Sequence, residues 1–97
     1  MIIHNSIIEG TTSGGELTDN TKSIMGVCYH VMVKPETETT VYNISITNSN
    51  DIKMYERLSE TGTLSELVTM PMRGISTVSI SSATADEDFV IQLSLQE

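Results

Sequence analysis

The segment Phe89-Val90-Ile91-Gln92-Leu93-Ser94-Leu95-Gln96 constrains this chain more than any other, because Phe89, Ile91, Leu93 and Leu95 fall on one face and mostly polar residues on the other. A period of two is that of a half-buried β-strand. The alternation recurs upstream. Tyr42, Ile44 and Ile46 alternate with Val41, Asn43 and Ser45, and between Ser23 and Val33 the residues Val27, Tyr29, Val31 and Val33 share one face while Cys28, His30 and Met32 share the other. A strand apolar on both faces belongs in the middle of a sheet.

Turn residues separate these segments: Gly10-Thr11-Thr12-Ser13-Gly14-Gly15, Lys34-Pro35-Glu36, Asn48-Ser49-Asn50-Asp51, Ser59-Glu60-Thr61-Gly62, Pro71-Met72-Arg73-Gly74 and Ala83 to Asp88. Glycine and proline end strands by supplying unusual backbone angles or removing a ladder donor. Thr40 to Thr47 reads as a hairpin with Ile52 to Leu58, with Ile52, Met54 and Leu58 as the inward candidates and Lys53, Tyr55 and Arg57 outward. Leu64 to Met70 alternates poorly, so it reads as a bulged strand or a one-turn helix. Ile75 to Ser81 is a further strand. The expected architecture is all-β, an antiparallel β-sandwich or small jelly-roll-like barrel of seven to eight short strands. It forms one domain over residues 1–97, with 1–9 as a first strand or an extended arm.

A chain of this length buries only about 60 to 65 % of its unfolded surface. With one Phe, three Tyr and no Trp, its core lacks the large aromatic contributions. Association would add buried apolar area, so a homo-oligomer is expected, with a trimer as the working form.

The net charge of −8, with Lys22, Lys34, Lys53, Arg57 and Arg73 scattered singly, argues against nucleic acid and against an anionic membrane surface. No apolar run approaches the roughly 20 residues that cross a bilayer, and no basic segment with a long apolar stretch opens the chain, so assembly in a cytoplasm is expected. Cys28 is the only cysteine and lies in an apolar run, where it reads as a small buried hydrophobe.

Groups that could do chemistry are sparse. Gly10 and Gly15 have the spacing of a phosphate loop, yet Glu16 stands where that loop needs Lys. Asp86, Glu87 and Asp88 are too tightly consecutive to converge on one calcium ion and read as a solvated acidic turn. Asn48, Asn50 and Asp51 read as turn residues. His4 and His30 lack metal-spaced partners, and His30 reads as a structural residue on a strand face. No catalytic residue, cofactor or metal is expected, and the chain reads as a non-enzyme.

The apolar residues that a sandwich does not need are more informative. Ile2-Ile3 and Ile7-Ile8 are adjacent pairs, so a strand must turn one member of each outward, and Met70 and Met72 flank a proline. Ile2, Ile3, Ile7, Ile8, Met70 and Met72 are therefore the candidate partner-binding residues. An edge strand with ordinary core methionines explains them equally well.

The layout Ser13-Gly14-Gly15-Glu16-Leu17-Thr18-Asp19-Asn20-Thr21, Val31-Met32-Val33-Lys34-Pro35 and Thr40 to Thr47 resembles small structural proteins of tailed bacteriophages. Leu67 to Gly74, followed by Ile80 to Asp86 and a closing strand, is similar to the tail end of such β-sandwich virion proteins. The resemblance implies a capsid cement or decoration protein that stabilises the shell, with neck, tail or fibre components as neighbouring roles. It implies the major capsid protein or another virion protein as partner, and a place on the capsid exterior of the virion. The acidity agrees with a surface facing away from packaged DNA. The Ile2 to Ile8 segment could then attach by adding a strand to a neighbour's sheet edge. A glycan-binding adhesion module is the competing class, with Tyr55 as the exposed aromatic platform.

Overall fold

The computed structural model describes residues 3–97. Among them run eight strands and no helix: β1 Ile3–Thr11, β2 Leu17–Asn20, β3 Ile24–Pro35, β4 Val41–Thr47, β5 Lys53–Thr61, β6 Leu64–Gly74, β7 Thr77–Ser81 and β8 Asp88–Gln96. They form two antiparallel four-stranded sheets ordered β1-β8-β3-β6 and β2-β7-β4-β5. The pairs β4·β5, β3·β6, β2·β7 and β1·β8 are nested about the β4–β5 turn, as in one long hairpin. Rolling that hairpin up brings β3 beside β8 and β4 beside β7, which is an eight-stranded jelly roll.

The core lies between the sheets and is built from the residues whose alternation is cleanest. Phe89, Ile91, Leu93 and Leu95 of β8 face Tyr42, Ile44 and Ile46 of β4 together with Val78 and Ile80 of β7, and all are buried. Tyr42 meets Phe89 edge-to-face with ring centroids 5.2 Å apart, a favoured aromatic geometry. The Tyr42 hydroxyl donates to the Gly62 carbonyl at 2.8 Å.

Three stretches depart from the sequence expectation, each for a local reason. In β3 the pairing with β8 shifts between Cys28 (opposite Leu95) and His30 (opposite Ser94). The extra residue, Tyr29, reverses which side of the sheet each later residue faces. Cys28, Val31 and Val33 therefore share the core, whereas Val27 turns outward. In β5 the outward expectation for Tyr55 is overturned: Tyr55 pairs with the inward Ile46 and is 7 % exposed, while Ile52 and Leu58 lie on the surface. For Tyr55 the cause is a bulge: one step on β4, from Thr47 to Ile46, spans two on β5, from Lys53 to Tyr55, so Met54 is the extra residue and Tyr55 turns inward although Lys53 faces out. For Ile52 it is the turn, where Asn48 Oδ1 accepts the N–H groups of Asn50 and Ile52. That holds Ile52 in the turn and starts the strand at Lys53. Finally, Pro71 does not break the chain, because β6 is an edge strand, where a missing N–H breaks no ladder bond.

Candidate interaction surface

The two outer faces of the sandwich have opposite chemistry. On the β2-β7-β4-β5 sheet, cross-strand rows such as Thr18–Ser79–Ser45–Glu56 and Asn20–Thr77–Thr47–Lys53 present hydroxyls, amides and charges. On the β1-β8-β3-β6 sheet the corresponding rows are Ile3–Gln96–Val27–Pro71, Asn5–Ser94–His30–Leu67 and Ile7–Gln92–Met32–Ser65. Met25 lies one step beyond the first row, opposite Arg73.

Five large apolar side chains of this face stand well into solvent: Leu67 at 81 %, Met25 at 64 %, Ile3 at 60 %, Ile7 at 55 % and Val27 at 37 % exposure. Strand spacing and rise give the rows that hold them a footprint of roughly 14 by 20 Å, near 300 Å². Within it Gln96, Ser94 and Gln92 of β8 separate Ile3 and Ile7 from Met25, Val27 and Leu67. Exposed apolar side chains grouped on one face make it the candidate interaction surface. Charges are confined to its ends. Glu9 and Lys34 flank Val90 in the row at one end, and Arg73 sits at the other. In a chain of net charge −8, the middle of this face carries no carboxylate. His30 lies there, with Nε2 2.7 Å from Ser65 Oγ.

The structure divides the six partner-binding candidates. Ile3 and Ile7 lie on the exposed face. Ile8 points the other way from Ile7 and is buried, opposite Ile91. Met70 and Met72 are two apart on β6, so both face inward and pack in the core while Pro71 takes the outer side. Ile2 lies outside the described residues. Met25, Val27 and Leu67 were missed. The first two share a face across Gly26, which the Tyr29 bulge obscured. Leu67 follows the irregularity expected in β6, where three steps from Met70 to Leu67 pair against two from Cys28 to His30.

The acidic run Asp86 to Asp88 is tied up within the fold. Asp86 accepts the N–H groups of Gly14 at 3.1 Å and Gly15 at 2.8 Å, so a carboxylate of the chain itself fills the backbone cradle of the glycine loop. Glu87 is not a solvated residue as expected. It is buried and accepts from the Thr37 N–H at 2.6 Å and from the Thr40 hydroxyl. Asp88 accepts from the Thr11 hydroxyl at 2.5 Å. Among the described residues no group of three or more His, Cys, Asp or Glu is gathered as a metal site. Cys28 is fully buried, and burial pushes its thiol pKa up. The Tyr55 platform required for a glycan is absent, since its ring lies under the Arg57 guanidinium at 4.8 Å and its hydroxyl donates to Glu66 Oε1.

No family model matches this chain, and no curated protein matches it. Solved structures of similar fold do exist. A mitogen from Yersinia pseudotuberculosis matches with a TM-score of 0.61 at 8 % identity, over 99 % of this chain and 89 % of that one. A Bacillus endospore appendage protein of disulfide-linked pili matches with a TM-score of 0.61 at 16 % identity, over 98 % and 87 %. PliG of Aeromonas hydrophila, a periplasmic inhibitor of g-type lysozyme, matches with a TM-score of 0.56 at 11 % identity, over 96 % and 87 %. At these identities the likeness is one of fold alone, and this chain is an eight-stranded β-sandwich protein.

Proposed function

We propose that this chain is a non-enzymatic virion structural protein of a tailed phage, a cement or decoration protein that docks on the capsid exterior. The observation that carries the docking is the apolar outer face of the β1-β8-β3-β6 sheet, formed by Ile3, Ile7, Met25, Val27 and Leu67. Burying such side chains against a shell stabilises it at about 25 cal/mol per Å² of apolar area removed from water. The viral placement is supported by the resemblance of the turn and strand layout to phage structural proteins. Jelly rolls serve in capsid and lectin domains alike, so the fold does not choose between them. The acidity of the rest of the molecule suits an exterior position, where no DNA phosphate has to be matched.

The test is reconstitution on particles. Wild-type chain added to purified capsids lacking it should co-sediment in saturable amounts, and Leu67→Asp or Val27→Asp should lose at least tenfold in affinity, the equivalent of about 1.4 kcal/mol. Undiminished attachment of both variants, or no trace of the chain in intact particles, overturns the reading.

A further inference from the structure

The sandwich has four lateral edges, and three of them are guarded against pairing with another chain. Edge strand β2 is only four residues long. Edge strand β5 carries Lys53, Glu56, Arg57 and Glu60, and edge strand β6 carries Glu66, Pro71 and Arg73. The Arg57–Glu66 ion pair, at 2.7 Å, also ties those two strands together across the open side. Short length, charge and proline are the usual protections of an exposed edge. Edge strand β1 has the least of them. It runs for nine residues with no Pro, Lys or Arg, and His4 and Glu9 are its only ionisable residues.

The free edge of β1 is also accessible. A groove of about 540 Å³ runs beside it, lined by His4 to Glu9 on one side and Asp19 to Ile24 on the other. The Thr12 N–H donates to the Glu87 carbonyl, and antiparallel alternation from that bond assigns His4, Ser6 and Ile8 to the β8 ladder. The N–H and C=O groups of Asn5, Ile7 and Glu9 then face the groove.

We propose that β1 is a homodimer edge: two copies pair their β1 strands antiparallel about a two-fold axis, joining two β1-β8-β3-β6 sheets into one eight-stranded sheet. The strand is self-complementary in this sense. With Asn5 opposite Asn5, Ile3 of each copy lies across from Ile7 of the other on the outer face, an apolar cross-strand pair made twice. In that register the two Glu9 side chains are eight residues apart, about 26 Å, well beyond the screening length of about 8 to 10 Å at physiological salt. An acidic chain meets its copy here without opposing carboxylates. The pairing is isologous, so it closes at two copies and not at the three expected from sequence. It also doubles the length of the apolar outer face. A single strand pair buries less than the roughly 1,200 to 2,000 Å² of a standard stable interface, so the dimer belongs with weak, concentration-dependent associations.

Sedimentation velocity over a micromolar to submillimolar range tests this. The wild-type chain should shift from monomer to dimer, with amide-exchange protection at Asn5 and Ile7 rising in step. Asn5→Pro removes an N–H on the open edge and leaves the β8 ladder intact, so it should weaken association at least tenfold. Ile7→Lys should do the same and decides the matter if the proline variant does not fold. Leu67→Asp, which disables the docking face, should leave the dimer unchanged. A wild-type chain that stays monomeric throughout, a dimer indifferent to Ile7→Lys, or a dimer abolished by Leu67→Asp overturns the proposal, and none of these results depends on capsid attachment.

Discussion

The Tyr55 hydroxyl donates to Glu66 Oε1 at 2.8 Å, joining the edge strand of one sheet to the edge strand of the other. Arg57 lies over the Tyr55 ring and pairs with the same carboxylate. Three side chains thus close one open side of the sandwich.

This closure makes part of the stability pH-dependent. The hydrogen bonds from Arg57 and from Tyr55 hold the Glu66 carboxyl below the usual carboxylate range. A carboxyl whose pKa is lower in the folded state contributes stability that is fully present above its unfolded value of about 4.3 and is lost as pH falls through the folded value. Thermal melts from pH 7 to pH 3 should therefore show a smaller acid-side decline for Glu66→Gln than for wild type. Equal slopes would refute the assignment. Glu38, lowered by its hydrogen bonds from Thr63, adds to the same limb.

Glu87 fastens the β3–β4 connection to the β7–β8 connection through Thr37 and Thr40. Glu87→Ala leaves the buried Thr40 hydroxyl without its acceptor and should cost about 1 to 3 kcal/mol. For a domain of this size that lowers Tm by several degrees, at about 4 to 8 °C per kcal/mol. Calorimetry of Glu87→Ala beside the exposed control Glu16→Ala measures the difference.

Gly62 turns the chain from β5 into β6 with a φ of +69°, and a Cβ built there would stand 2.5 Å from the Glu38 carbonyl oxygen. Gly62→Ala combines a left-handed backbone with a clash against main chain, and strain of this kind costs on the order of 1 to 3 kcal/mol. Gly14 also has a positive φ but has nothing near its Cβ position. Urea midpoints should therefore fall further for Gly62→Ala than for Gly14→Ala.

Cys28 donates to the His30 carbonyl at 3.4 Å beneath the β3 bulge and is shielded from solvent. Its thiol, already pushed up in pKa by burial, should react with a disulfide reagent at a rate set by opening of the sheet, because the thiolate is the reactive form. The rate should climb steeply with sub-denaturing urea. Rapid labelling of the native protein would contradict the burial.

Much of this fold was legible because burial on one side of a strand imposes a period of two. Tyr42, Ile44, Ile46, Phe89, Ile91, Leu93 and Leu95 all lie where their alternation put them. Errors arose where an added residue changed parity, at Tyr29 and at Met54, or where a turn kept a residue out of its strand, at Ile52. A single parity shift moves every later side chain to the other face. This is why Val27 read as core and why Tyr55 read as exposed.

The sequence by itself determined the class of the molecule: seven to eight short strands, most of them alternating or doubly apolar, divided by turn chemistry, in a chain with few groups for catalysis. The four-residue β2, with Leu17 as its one apolar residue, became visible only through its pairing with β7. It also required that one isoleucine of the Ile7-Ile8 pair face outward. Only the tertiary structure decided that this residue, Ile7, shares a face with Val27 and Leu67, since these lie on three different strands that meet by pairing across large sequence separations. Strand order and bulges are settled by long-range hydrogen bonding and core packing. Local preference carries no record of either.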